Sequence, residues 1–107
     1  MLKALRIAAT GLILLPGLAA AAEPSAAESL AKKNGCFACH SIQKKVIGPA
    51  YKDVAERYDG DKGAVDKLVH KVKEGGSGVW GSAGMPPQPQ MKDEEIRRVV
   101  EWILTLK

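Results

Sequence analysis

Cysteine is scarce: the 107 residues hold two, and both fall inside one pentapeptide, Cys36 to His40. That excludes a disulfide-dense scaffold. Strong charge of one sign is missing as well. Sixteen basic residues against twelve acidic ones leave +4, too mild for a dedicated nucleic-acid binder. The one almost wholly apolar run, Ile7 to Leu15, falls short of the roughly 20 residues a membrane helix needs. No strand-like alternation, internal repeat or interior low-complexity tract is present. The length excludes two enzyme domains and leaves room for one small domain.

The N-terminal segment has its own logic. Lys3 and Arg6 precede the apolar run, Pro16 and Gly17 break it, and Ala19 to Ala22 supply small residues for cleavage. That order predicts a Sec-type signal peptide over 1–22, with cleavage after Ala22 and a folded domain over 23–107. No stop-transfer pattern comes after it, so stable membrane insertion is not expected. No cysteine succeeds Ala22 either, which argues against a lipoprotein. Without Lys3 and Arg6 the net charge of +4 falls to +2. The remaining domain is poor in large apolar side chains, and domains this small are marginal without a metal, disulfides or a cofactor.

The periodicity of that domain is helical. Ser25 and Glu28 have capping-box spacing and open a helix expected to run to Asn34, with Gly35 as its stop. Tyr51, Val54, Ala55 and Tyr58 recur at helical spacing up to Asp59-Gly60. Val65, Leu68, Val69 and Val72 form a stripe closed by Gly75-Gly76. Asp93, Glu94 and Glu95 favour the start of a last helix through its dipole, and Ile96, Val99, Val100, Ile103 and Leu104 line its face. The exception is Glu74 to Lys92, which holds five of the eleven glycines and three of the six prolines. A loop of that length in a small domain reads as a binding loop.

Cys36-Phe37-Ala38-Cys39-His40 is C-x-x-C-H, the attachment pattern of a c-type haem. Two thiols three positions apart on a helical turn reach the two vinyl groups of a porphyrin, and the next residue aims its imidazole at the iron. Three other chemistries compete. A thioredoxin-type motif needs a βαβ context, and no strands are evident. Zinc needs about four ligands, while only Cys36, Cys39, His40 and His70 are on offer and adjacent Cys39 and His40 suit a tetrahedron badly. A simple disulfide remains open in an oxidising compartment.

A second axial ligand would come from His70, Met85 or Met91. His70 lies across the helix from the Val65–Val72 stripe and is expected to face solvent. Met85 precedes Pro86-Pro87; the first proline pushes it to extended geometry, and the pair stiffens the chain on its C-terminal side. Met91 abuts the last helix and suits a core role. Local reasoning therefore favours Met85.

As a set, Cys36 to His40, Val46 to Ala55, Gly78-Val79-Trp80-Gly81, Met85-Pro86-Pro87 and Trp102-Ile103-Leu104 resemble the bacterial cytochrome c-551/c-552 family of small class I c-type cytochromes. The resemblance implies an all-α cytochrome c fold, with four to five helices around one covalently attached haem c whose iron is low-spin and six-coordinate. It implies thioethers at Cys36 and Cys39, His40 as proximal ligand and Met85 as distal ligand. It further implies that the Pro49 carbonyl accepts from His40 Nδ1, that Trp80 donates its indole N–H to a propionate, and that Gln88 sits near the Met85 sulfur. Lys71 stands where relatives often carry an arginine near a propionate. Ser82-Ala83-Gly84 departs from the usual proline-bearing run before the methionine.

The implied function is that of a monomeric periplasmic electron carrier and not an enzyme. With both axial positions filled, one electron passes through the exposed haem edge and no bond chemistry occurs at the iron. Partners implied are respiratory redox proteins: upstream cytochromes as donors, and nitrite reductases, cytochrome c peroxidases or terminal oxidases as acceptors. No nucleic acid is expected. Lys32, Lys33, Lys44 and Lys45 flank the attachment motif and, with an apolar patch, would suit weak, fast, salt-sensitive docking.

Overall fold

The computed structural model describes residues 3–4, 7–13 and 25–107. Part of the expected leader, including the cleavage point after Ala22, lies outside the described residues. Within 7–13, Ile7, Leu12 and Ile13 are all exposed.

The domain runs α1 (Ala26–Lys33), a 3-10 turn (Cys36–Ala38), α2 (Tyr51–Arg57), α3 (Ala64–Glu74), β1 (Gly76–Gly78), β2 (Gly81–Met85) and α4 (Asp93–Ile103). Ser25 caps α1 as its spacing predicts: its Oγ accepts from the Glu28 N–H at 3.1 Å. Asn34 closes the helix, and Gly35 comes next at a φ of 76°, a left-handed turn that glycine adopts without strain. In α4, Glu95 reaches back to accept from the Lys92 N–H at 3.0 Å. Asp93, Glu94 and Glu95 occupy its first turn, where the helix dipole favours acids.

The core is the face where α4 meets α1, α2 and α3. Ile96, Val99, Val100 and Ile103 are buried along α4 at i, i+3, i+4 and i+7. Ala31 of α1 is fully buried, and its small side chain lets the two helices close on each other. Tyr51 and Val54 of α2 join the same cluster, as does Met91 from the segment before α4. The stripe of α3 is only half-buried; Leu68 and Val72 face a cavity.

The helical expectation holds in the four helices, and the Gly/Pro segment, expected as a loop, folds in part into a short antiparallel hairpin, with Gly76 opposite Met85 and Gly78 opposite Gly81. Its strands are exposed on both faces apart from half-buried Met85. A strand with no buried face leaves no alternation in sequence. With Gly76, Gly78 and Gly81 all at positive φ and no strand residue but Met85 even half-buried, the hairpin is held by backbone pairing rather than side-chain packing.

Candidate functional site

The attachment motif is shaped by its own backbone. Ala38 N–H donates to Gly35 O, and both Cys39 and His40 N–H donate to Cys36 O, which coils Cys36 to His40 into a single turn. The chain then folds back: Ile47 and Gly48 N–H both donate to Cys39 O, at 3.1 and 2.7 Å. That return carries Gly48-Pro49 onto the His40 ring. A Cβ at Gly48 would lie 2.8 Å from both imidazole nitrogens and nearer still to Cε1, so only glycine fits against the ring as it stands. The Pro49 carbonyl lies 2.8 Å from His40 Nδ1. Helix α2 is docked on the same loop. No side chain caps it, and its Tyr51 and Lys52 N–H groups donate to Ser41 O and Ile42 O instead.

Tyr51 thereby lies against the histidine, with ring centroids 4.9 Å apart and planes 21° from parallel. Phe37 and Trp102 meet its ring edge-on, both at 5.8 Å. Burial pushes the Tyr51 phenol far above its ordinary pKa, and the neighbouring Cys36 adds to the shift. Burial likewise pushes the Cys36 thiol up, more than its hydrogen bond with Tyr51 pulls it down. Cys36 and Cys39 are both free thiols.

These residues open onto a cavity of about 1120 Å³, counting its mouth. Its walls are mostly apolar. Cys36, Cys39, His40 and Pro49 line it from the motif side, Leu68 and Val72 from α3, and Trp80 and Met85 from the hairpin. A cavity with two free thiols, an imidazole already engaged at Nδ1 and a thioether suits a haem held covalently at one edge and by nitrogen and sulfur at its iron. It does not suit zinc: among the described residues no three His, Cys, Asp or Glu side chains converge on one point.

The expected site residues are thus brought together, with one exception. Gln88 does not line the cavity. Its Nε2 reaches Pro86 O at 3.4 Å, and its Oε1 accepts from Gln90 Nε2 at 2.6 Å. Its backbone N–H is tied to Val72 O and Lys73 O at the end of α3. Trp80 stands at the mouth, 37% exposed, with the Arg57 guanidinium 5.0 Å above its ring. Lys71 lines the cavity and sets its ammonium beside Gly76. His70 is exposed. Met91 is 2% exposed and packs in the core, although it also touches the cavity wall. Sequence reasoning placed Tyr51 only on a helix face and took in Gly48 only as part of the Val46 to Ala55 run. The Gly48-Pro49 doublet was the available signal for the close approach to His40.

The family model described as cytochrome c matches residues 25–107. Cytochrome c-552 of Hydrogenobacter thermophilus is 55% identical over 80 residues, which is 75% of this chain and 81% of that protein. Cytochrome c-551 of Pseudomonas aeruginosa is 44% identical over 103 residues, 96% of this chain and 94% of that protein. The crystal structure of wild-type Nitrosomonas europaea cytochrome c552 superposes with a TM-score of 0.72 at 48% identity, covering 74% of this chain and 98% of that one.

Proposed function

This chain belongs to the cytochrome c family, whose members carry one covalently attached haem c, and we propose that it is a periplasmic, monomeric one-electron carrier between respiratory redox proteins. The observation that carries the reading is the meeting of Cys36, Cys39, His40 and Met85 on one apolar cavity. All of α2 and α3 separates the motif from Met85 in sequence.

When bound, the haem supplies a one-electron couple at its iron. Cys36 and Cys39 would hold it through thioethers. His40 would present Nε2 as the proximal ligand, its ring fixed by Pro49, Gly48 and Tyr51. Met85 would supply the distal sulfur, and Trp80 would turn its indole N–H to a propionate. The apolar walls exclude water and disfavour the added positive charge of the oxidised state, which favours reduction. With His40 and Met85 both holding the iron, they would keep substrate from it, and the surrounding residues would insulate and position the haem without doing bond chemistry themselves.

The leader pattern of residues 1–22 supports export, and no helix among the described residues is long and apolar enough to cross a membrane. Val46 and Ile47 are 54% and 57% exposed beside exposed Lys44 and Lys45. That apolar patch with a basic rim favours brief contacts with acidic redox partners.

The test is an absorption spectrum of protein purified from a strain able to attach haem. The expected result is a sharp c-type α-band on reduction and, in the oxidised form, the weak far-red band of methionine-ligated ferric haem. An α-band without the far-red band overturns the Met85 assignment. No haem absorbance overturns the carrier reading as a whole.

A further inference from the structure

Gly75 ends α3 with a φ of 73° and a ψ of −161°, a region that glycine occupies almost alone. Its position matters more than its dihedrals. A Cβ there would lie 2.5 Å from Met85 O, 2.8 Å from Pro87 N and 3.0 Å from the Pro86 carbonyl carbon. All three are backbone atoms, which cannot swing aside as the end of a side chain can. The strap carrying Met85 therefore rests on the Gly75 α-carbon.

Other contacts press the strap onto the same helix end. Gln88 N–H donates to Val72 O and Lys73 O, at 3.2 and 3.3 Å, filling carbonyls that the last turn leaves without helical partners. Lys73 Nζ donates to Met91 O at 2.8 Å and pairs with Asp93 at 3.3 Å. Upstream, Met85 is paired with Gly76, the residue after Gly75. Downstream, Pro86-Pro87 fix their own φ angles. Any outward push at Gly75 has no flexible segment to absorb it before it reaches Met85. The other hairpin glycines differ: a Cβ at Gly78 or Gly81 would meet nothing within 4 Å, despite positive φ.

We propose that Gly75 is a positioning residue for the distal ligand: its missing side chain seats the Met85–Pro87 strap on the end of α3 and so sets where the Met85 sulfur sits. The inference rests on the reading of Met85 as the axial sulfur.

The experiment compares four haem-loaded proteins: wild type, Gly75→Ala, Gly60→Ala and Lys73→Met. Gly60 has a φ of 74° but nothing within 4 Å of its Cβ position, so its variant carries positive-φ strain without the collision. Each is read by its α-band, its ferric far-red band, its reduction potential and its thermal midpoint. Gly75→Ala is expected to keep the α-band, lose roughly half or more of the far-red absorbance and fall in potential. Gly60→Ala is expected to lose thermal stability while keeping the far-red band and potential. Lys73→Met, which frees the strap's downstream end, is expected to lose the far-red band on heating before the domain unfolds. A full far-red band and wild-type potential in Gly75→Ala overturn the proposal, as does equal loss in Gly60→Ala. Should Gly75→Ala fail to accumulate, Lys73→Met decides, and a band that persists up to global unfolding overturns it. A wild type without the far-red band removes the ligand assignment and this inference with it, whatever the variants show.

Discussion

His40 Nδ1 and the Pro49 carbonyl oxygen lie 2.8 Å apart. A carbonyl can only accept, so Nδ1 carries the proton and Nε2 keeps its lone pair for a metal. The contact exists because Gly48, the residue before Pro49, has no side chain to strike the ring. A short backbone segment thus sets both the tautomer and the tilt of the histidine.

That arrangement separates two neighbouring substitutions. Pro49→Ala keeps the carbonyl and loses only the ring, so it is expected to cost about 0.4–1 kcal/mol through the unfolded chain's entropy and to leave the haem spectrum unchanged. Gly48→Ala drives a methyl into the imidazole. Overpacking of this kind costs about 1–3 kcal/mol, and here it also displaces the His40 nitrogen proposed to hold the iron. Reduced haem incorporation and a weakened low-spin spectrum are expected in Gly48→Ala alone. Chemical denaturation and the absorption spectrum of the two variants check this.

Two methionines touch the cavity, and their surroundings assign them different tasks. Met85 is half-buried at the end of β2, whereas Met91 is 2% exposed within the core. Met85→Ala is expected to keep the reduced α-band, lose the far-red band and lower the potential. Met91→Ala is expected to keep the far-red band and lose about 2–5 kcal/mol of stability, as large-to-small core changes do. Met91→Leu, which conserves volume, is expected to lose less than about 1.5 kcal/mol. Loss of the far-red band in the Met91 variants, with retention in Met85→Ala, would reverse the assignment.

Much of this architecture was legible because it is written in local chemistry. The Ser25–Glu28 cap, the α4 stripe from Ile96 to Ile103 and the C-x-x-C-H turn each depend on residues close in sequence. The hairpin was not legible, because Gly76, Gly78 and Gly81 pair through backbone and bury no face. The bonds of Gln88 were not legible for a related reason: its backbone N–H bonds across to α3 and its side chain bonds Gln90, contacts that the fold alone brings together. The stacking of Tyr51 on His40 also escaped the sequence, since it needs the Ile47–Gly48 return to Cys39 O before α2 can dock.

Surface pairs give a pH dependence with a definite sign. Asp61 accepts from Lys67 Nζ and from the Gly63 N–H, both at 2.8 Å, and these hold its carboxyl below the ordinary aspartate range. A depressed folded-state value means the stabilisation is complete above the unfolded aspartate pKa, near 4, and fades as pH falls through the folded value. Asp61→Asn is therefore expected to be less stable than wild type at neutral pH, with the two curves converging in acid. Because the pair is exposed, the difference is expected to be small and to shrink with added salt. Thermal midpoints measured from pH 7 downward check it, and a gap that persists at the lowest pH would show that the charge is not its source.

Docking is testable through the same screening physics. Lys44 and Lys45 are exposed next to exposed Val46 and Ile47, and Ile47 also borders the cavity. Charges so close to the cavity mouth attract an acidic partner before contact, within a Debye length of about 8 Å at physiological ionic strength. Neutralising both as Lys44→Gln and Lys45→Gln is expected to slow electron transfer severalfold at low salt and to flatten its salt dependence. The variant and wild-type rates should meet at high salt, where the apolar patch acts alone. Lys62→Gln combined with Arg98→Gln removes the same two charges at exposed residues outside the cavity lining and serves as the control. If it slows transfer as much as the Lys44 and Lys45 variant does, net charge steers the encounter and the patch beside the cavity has no special part in it.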